Sequence, residues 1–240
     1  MVAIIPAAGR GTRMASVTGG TSKELLRLGR KTVLQIVIEE AREADVDRII
    51  VVGSREKPDL TEAAERLGAT VVFQERPEGL ADAIVSADVS DEALVLNGDT
   101  VFHGGSPAGR MAALVHRAIA GCIAVEPVDD ESTRRYGIVE VDENTGGIRR
   151  ILEKPGPEAT KSRWAISARY AFGPAMMAFI EQYRLRTVLP EGNELTVTPI
   201  LDAAVQAGFD LKAVPIQPGQ QRLDCGDPEG YKQARYLDWD

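Results

Sequence analysis

Two short segments of this chain combine small residues with charge in a way that suits phosphate chemistry. The first, Pro6-Ala7-Ala8-Gly9-Arg10-Gly11-Thr12-Arg13, follows an apolar run. Residues this small let backbone N–H groups close on an anion, and Arg13 adds a guanidinium able to grip phosphate oxygens. The segment is no dinucleotide fingerprint, because Met14 stands where the third glycine belongs. It is no Walker A loop either, because no Gly-Lys-Ser/Thr follows. Lys23 comes ten residues past Arg13, after a polar stretch bearing Gly19 and Gly20 that could fold over a ligand and bring both cations to it. The second segment, Asn97-Gly98-Asp99, also follows an apolar run. An aspartate there, beside phosphate donors, is well placed to hold Mg²⁺. A metal needs more than one oxygen ligand, and the best second candidate is Asp224, followed by Gly226 and Gly230 as in a tight loop.

Such residues need a scaffold that aims them at one place. Val2 to Ile5, Arg48 to Val52, Thr70 to Phe73, Ala93 to Leu96 and Cys122 to Val125 read as short buried strands. Between them, apolar residues recur at helical spacing: Val33, Ile36, Val37, Ala41 and Ala44; Leu60, Ala63, Ala64 and Leu67; Leu80, Ala83, Ile84 and Ala87; Met111, Leu114, Val115 and Ala118. This alternation predicts an α/β fold with a doubly wound, mostly parallel, Rossmann-like sheet flanked by helices. Ligands of such folds bind beyond the carboxyl ends of the strands. That rule singles out residues 7–13, 74–79 and 97–100. The second half reads as an α+β subregion. Tyr136 to Val141 and Gly147 to Glu153 are two strands joined by a turn, and Trp164 to Phe172 is another. Helices follow at Pro174 to Tyr183 and Thr198 to Ala207, with a strand at Leu211 to Ile216. His103 to Pro107 reads as a loop, and no linker divides the chain, so residues 1–240 are expected to form one domain.

Composition narrows the function. The 240 residues carry 28 Lys and Arg against 36 Asp and Glu, a net charge of −8. No basic excess exists to neutralise a polyanion, so nucleic acid and anionic membranes are not expected partners. A small phosphorylated ligand needs only local cations. Two cysteines make no disulfide framework, and two histidines make zinc chemistry improbable. The N-terminus lacks the form of a signal peptide, and no apolar run approaches the roughly 18 residues that span a bilayer. A cytoplasmic setting is the simplest expectation.

The Gly9-Arg10-Gly11-Thr12-Arg13 stretch with Ser22-Lys23-Glu24 resembles the signature of the sugar-1-phosphate nucleotidylyltransferases. Further segments fall in the order of that family: Glu78-Gly79-Leu80-Ala81-Asp82-Ala83, Asn97-Gly98-Asp99, Tyr136-Gly137-Ile138-Val139, Glu153-Lys154-Pro155 and Asp224-Cys225-Gly226. Within the family the chain is most similar to the bacterial UTP–glucose-1-phosphate uridylyltransferases. The resemblance implies a nucleotide-binding half, 1–130, and a sugar-binding half, 131–240, with no C-terminal β-helix domain. It implies that Ala7, Ala8, Gly9, Gly11, Thr12 and Arg13 hold the triphosphate, and that Gln74 and Gly79 meet a pyrimidine edge. Asp99 and Asp224 would share Mg²⁺, and Lys23 and Lys154 would contact phosphates. Tyr136, Gly137, Glu153, Arg169 and Tyr170 would line the hexose pocket. The catalytic set is then Arg13, Lys23, Asp99 and Lys154, with no protein nucleophile or base. The implied substrates are UTP or dTTP and a hexose 1-phosphate.

Two alternatives stand beside this reading: a nucleotide-sugar-binding regulatory subunit without turnover, and a transferase for phosphocholine with CTP. Ser22 departs from the family, which commonly has proline there. Longer relatives carry C-terminal helices used for association, so a homo-oligomer of this chain would need another surface. Cys225 is expected to be a buried filler, and Met176 and Met177 core. His103 is placed in a loop and His116 on a helix surface. Trp164 is equally suited to stacking and to packing, and Arg134-Arg135 to solvation and to phosphate contact.

Overall fold

A computed structural model of the chain describes residues 1–75, 78–117, 119–190 and 193–239. Ala118, expected in a helix, lies outside them. Chain order begins with β1 (Val2–Pro6), the short α1 (Ala15–Thr18), the hairpin strands β2 (Arg27–Leu28) and β3 (Lys31–Thr32), and α2 (Val33–Glu43). It continues through β4 (Arg48–Gly53), α3 (Pro58–Arg66), β5 (Thr70–Phe73), α4 (Leu80–Ser86), β6 (Ala93–Leu96), β7 (Thr100–His103) and α5 (Ala108–Val115). The second half holds β8 (Gly121–Pro127), β9 (Gly137–Val141), β10 (Ile148–Glu153), β11 (Trp164–Phe172), α6 (Pro174–Arg186), α7 (Thr198–Gln206), β12 (Leu211–Pro215), β13 (Gln221–Asp224) and α8 (Pro228–Arg235).

One nine-stranded sheet organises the molecule, with the path β10-β9-β11-β6-β1-β4-β5 and with β8 and β12 branching from β11. Pairing β1 with β4 and β6, β4 with β5 and β8 with β12 is parallel. Following the pairings along the sheet, only β10 and β11 run against the other strands. The sheet is therefore mostly parallel, as expected, with one long antiparallel strand at its centre. β11 pairs β8 along one edge; its other edge meets β9 near Trp164 and β6 from Arg169 onward. The register shifts between Ile166 and Tyr170, where Ala168 takes φ 55°.

Period-two alternation distributes the strands between two cores. Ala3, Ile5, Leu94 and Leu96 face a core built with α2, α3, α5 and α8, while Ile4, Ala93 and Val95 face one built with α4, α6 and α7. Each large side chain taken fully from water contributes about 1.5–3 kcal/mol, which is why this apolar sandwich fixes strand register. Local signals start the helices. Thr32 caps α2 by accepting from Gln35 N–H at 3.1 Å, and Asp227 caps α8 by accepting from Glu229 and Gly230 N–H at 3.0 Å. Met176 and Met177 are core, as expected.

Some expectations need correction. His103 ends strand β7 instead of lying in a loop, and β7 pairs antiparallel with β13, a strand not expected from the sequence. Both are four residues long, and β13 carries Arg222 and Asp224 among few apolar residues. The α8 helix is likewise unexpected, because its polar sequence leaves only Tyr231 and Ala234 buried.

Candidate active site

The cleft opens where the strand rule places it, beyond the carboxyl ends of β1, β5 and β6. It is lined by Pro6, Ala7, Ala8 and Gly9 after β1, by Gln74, Gly79, Leu80 and Ala83 after β5, by Asn97 and Asp99 after β6, and by Lys23, Glu24 and Glu194. It encloses about 580 Å³, open solvent included. Gly11 and Thr12 line an adjoining hollow that shares Ala8 and Lys23 with it. Arg13 is exposed on the 3-10 turn Thr12–Met14 and makes no ion pair among the described residues.

The floor of the glycine loop holds two residues to which the sequence alone assigns no role. Lys57 donates to Ala7 O at 2.9 Å and to both carboxylate oxygens of Glu24, at 3.1 and 3.2 Å. Burial pushes the Glu24 carboxyl above its ordinary value, against the pull of Lys57 and Lys23. Lys57 follows β4, so the same strand-end rule applied to residues 54–57 would have found it. Ser22, standing in place of the family proline, donates from its hydroxyl and its N–H to Asp59 at 2.7 and 2.8 Å. The Lys23 loop is thus fixed to α3 by hydrogen bonds.

Asp99 and Asp224 meet at Gly226. A Cβ on Gly226 would stand 2.6 Å from Asp99 Oδ2 and 2.9 Å from Asp224 Oδ1, so those oxygens lie no more than the sum of these distances apart. Gly226 N–H donates to Asp224 Oδ1 at 2.8 Å, and Cys225 N–H to Asp99 O at 2.8 Å. The β7–β13 pair makes the approach, with Asp224 opposite Thr100. Lys23 Nζ donates to Asp99 Oδ2. Burial pushes the Asp99 carboxyl up, but Lys23, with hydrogen bonds that include one from the Thr100 hydroxyl, holds the group below its ordinary value. Asp224 is pushed up, first by burial and then by the charge of Asp99. Lys23 is raised, because Asp99, Glu24 and Asp224 together outweigh its desolvation. Two hard carboxylates converging over a glycine fit a small divalent cation that takes its remaining ligands from phosphates and water. Among the described residues no group of three His, Cys, Asp or Glu could hold a metal by itself.

At the base-side wall, Gln74 Nε2 donates to Gly79 O at 3.1 Å and to Asp82 Oδ2 at 2.8 Å. Both partners can only accept, so the amide orientation is fixed and Oε1 is left to accept from a ligand. Arg184 holds Asp82 from behind, donating to Oδ1 at 2.8 Å, and also pairs with Glu78. A Cβ at Gly79, where φ is 101°, would meet Leu195 O at 2.5 Å, so only glycine lets this wall close.

A second group gathers on the β9–β10 edge. Gly137 pairs with Glu153, Lys154 N–H donates to Tyr136 O at 3.2 Å, and Lys154 Nζ lies 3.7 Å from Glu153 Oε1. Arg222 of β13 covers the Tyr136 ring at 4.9 Å and pairs with Glu126. One strand thereby joins this edge to Asp224. Of two further residues expected here, Arg169 is placed elsewhere and Tyr170 is buried behind the edge, within reach of the Glu153 charge. Arg169 is completely buried on the opposite face of β11, in a bidentate pair with Glu40, and lines no pocket wall. Tyr170 packs its ring in the core against Phe172, 5.9 Å between centroids; burial, then the nearby Glu153 charge, pushes its hydroxyl up. The strand lies where its apolar pattern predicts it, but alternation sends these two side chains inward.

The remaining candidates line neither the cleft nor the adjoining hollow. Cys122 and Cys225 are buried and unpaired. His116 caps the end of α5 and lies 2.6 Å from Glu92, and His103 packs edge-on to Trp239. Trp164 is partly exposed at the start of β11. Arg134 pairs with Glu158, and Arg135 lies over the Tyr136 ring at 5.6 Å.

A family model described as nucleotidyl transferase matches residues 2–238. The chain is 30% identical to UTP–glucose-1-phosphate uridylyltransferase of Bacillus subtilis (strain 168), covering 95% of this chain and 87% of that protein. It is 29% identical to the protein of the same name from Pseudomonas aeruginosa, with 96% and 93% covered. Among solved structures it is similar to UDP-glucose pyrophosphorylase complexed with UDP-glucose: TM-score 0.84, 25% identity, 98% of this chain and 97% of the other. It is also similar to UTP-bound UGPase from Acinetobacter baumannii: TM-score 0.81, 26% identity, 98% and 92% covered.

Proposed function

Because this chain belongs to the nucleotidyl transferase family, we propose that it joins UTP to glucose 1-phosphate, giving UDP-glucose and pyrophosphate. The convergence of Asp99 and Asp224 on Gly226, beside Lys23 and the glycine loop, carries this reading. Both substrates are polyanions, so repulsion and misalignment are the obstacles. A phosphate oxygen of the sugar attacks the α-phosphorus, and the bond to pyrophosphate breaks. The attacking oxygen is already anionic, so no protein nucleophile is required. Alignment of two bound reactants contributes on the order of 7–11 kcal/mol, and fixed cations stabilise the charge gathered in the transition state.

The half up to residue 130 takes the nucleotide. Backbone N–H groups of residues 8–12 and the Arg13 guanidinium bind the triphosphate, while the Ala7 N–H is held by Val52 O at 2.8 Å and Lys57 and Glu24 hold the loop floor in place. Gln74 Oε1 accepts the N3–H of uracil. Cytosine presents an acceptor at that position, which disfavours CTP and with it the phosphocholine reading. Thymine offers the same edge, so dTTP is the second nucleotide to test. Asp99 and Asp224 would hold Mg²⁺, which when bound offsets negative charge on phosphate oxygens. The half from residue 131 takes the hexose phosphate, with Glu153 accepting from sugar hydroxyls and Lys154 pairing with the phosphate. Among the described residues no helix is long and apolar enough to cross a membrane, and unpaired buried cysteines suit the cytoplasm we assign.

Pyrophosphate release across UTP, dTTP and CTP, each with a panel of hexose 1-phosphates and Mg²⁺, tests the proposal. UTP with glucose 1-phosphate should give the highest kcat/KM. Absence of turnover with every pair, alongside calorimetric binding of UDP-glucose, would establish the non-catalytic alternative instead.

A further inference from the structure

We propose that the buried Arg169–Glu40 pair is a positioning device for Asp99, setting the affinity of the site for its divalent cation without touching substrate. The proposal rests on the reading of Asp99 as a metal ligand given above.

Asp99 lies within a turn closed by Thr100 N–H donating to Asn97 O at 3.2 Å. Its carboxylate can be aimed only as well as that backbone is held. Arg169 reaches the turn from β11 and holds both ends of it. Its NH2 nitrogen donates to Thr100 O at 2.7 Å, and its NH1 nitrogen reaches Asn97 O at 3.5 Å and Ala168 O at 2.9 Å. The remaining donors go to Glu40, Nε to Oε1 at 2.7 Å and NH2 to Oε2 at 2.6 Å. All five N–H groups of the guanidinium are therefore engaged, two of them on the carbonyls that flank Asp99. Phe102 covers the guanidinium at 5.0 Å, and Ser106 donates its hydroxyl to Glu40. The Ala168 conformation, φ 55°, lets β11 deliver both its carbonyl and the arginine to the turn.

A buried ion pair is seldom more stabilising than apolar side chains of similar volume, so stability alone does not account for one here. Its geometry does something an apolar pair cannot, which is to hold two specific carbonyls. Groups that orient metal ligands in this way change metal affinity or activity by about 10–100-fold when altered.

The test compares wild type with Arg169→Lys, Glu40→Gln and the double variant Arg169→Met/Glu40→Met. Mn²⁺ binding is read by electron paramagnetic resonance on full-length protein saturated with α,β-methylene-UTP, together with thermal unfolding and steady-state kinetics. Lysine keeps the charge but has three donors and no planar fork, so Arg169→Lys should weaken Mn²⁺ binding about 10-fold or more. Its kcat should fall while the KM for glucose 1-phosphate stays within about twofold, since the hexose edge is untouched. The double variant should regain thermal stability but not Mn²⁺ affinity. If restoring stability restores Mn²⁺ affinity, or if Arg169→Lys binds Mn²⁺ as wild type does, the positioning role is wrong and the pair is structural. Asp99→Asn separates the two readings. Unchanged Mn²⁺ binding in Asp99→Asn overturns the metal assignment itself; loss there with none in the Arg169 and Glu40 variants overturns only the present inference.

Discussion

At Gly226 a single hydrogen atom separates a working cleft from a blocked one. A methyl group there would crowd Asp99 Oδ2 and Asp224 Oδ1 at 2.6 and 2.9 Å and force the carboxylates apart. No positive φ is involved, so the backbone accepts alanine and the cost falls on the side chains. Overpacking of this kind costs about 1–3 kcal/mol of stability. Gly226→Ala should therefore remain folded, with turnover down by about 10–100-fold, the range for disturbed metal ligation. Circular dichroism melting and Mg²⁺-dependent pyrophosphate release measure the two effects; near-normal turnover would mean that the carboxylates do not act together. The neighbouring Cys225 faces the opposite fate from a reactive thiol. Burial pushes it up, with Asp99 and Asp224 adding to the effect. Cys122, raised by burial to about 12, keeps only about one part in 10,000 as thiolate at pH 8. Native protein should resist iodoacetamide, and both thiols should react once guanidinium unfolds it. Rapid labelling of the folded state would contradict this burial.

Three elements together fix one amide: β5 ends at Phe73 just before Gln74, α4 contributes Asp82, and α6 contributes Arg184. Asp82→Ala removes the strongest acceptor holding Gln74 Nε2, leaving Gly79 O alone. The amide can then turn and offer its N–H₂ to an acceptor. Discrimination between UTP and CTP, taken as the ratio of kcat/KM values, should fall by about 10-fold, roughly the value of one hydrogen bond. A ratio unchanged in Asp82→Ala would show that Gln74 does not read the base. Element scale is also where the sequence is most and least legible. Ile49 to Val52 and Ala93 to Leu96 are continuous apolar runs buried on both faces, and nothing else fits them. The Asp99–Asp224 pairing is legible from the need for a second oxygen ligand and the glycines after Asp224, but the ladder that makes it is not, because β7 and β13 are only four residues each. Arg169 shows the opposite difficulty. Its place in the hexose pocket is what the family resemblance implies, and only the distant Glu40 on α2 reveals that it is buried.

Over the whole molecule, the two proposed halves are not separate bodies. β11, from the sugar side, pairs with β6, from the nucleotide side, and β13 returns Asp224 to Asp99 after more than a hundred residues. The shared sheet carries both cores, so the chain should unfold in one transition. Ligands for either half then stabilise the whole. Mg²⁺-UTP at 100 times its Kd stabilises the native state by about 2.7 kcal/mol. For a domain of this size that raises Tm by about 5–11 °C. The candidate phosphate contacts divide the effect by site. Arg13→Ala should lose most of the UTP shift, because this exposed arginine directly follows the glycine loop and makes no ion pair among the described residues. Lys154→Ala should keep the UTP shift and lose the additional one from glucose 1-phosphate, because Lys154 lies on the β9–β10 edge beside Glu153. Each substitution removes one surface charge, so unliganded Tm should move by no more than about 2 °C in either variant. Differential scanning fluorimetry with each ligand alone resolves these outcomes. A UTP shift lost in Lys154→Ala and kept in Arg13→Ala would reverse the assignment of the halves, and two separate transitions in the unliganded protein would show that the sheet does not couple them.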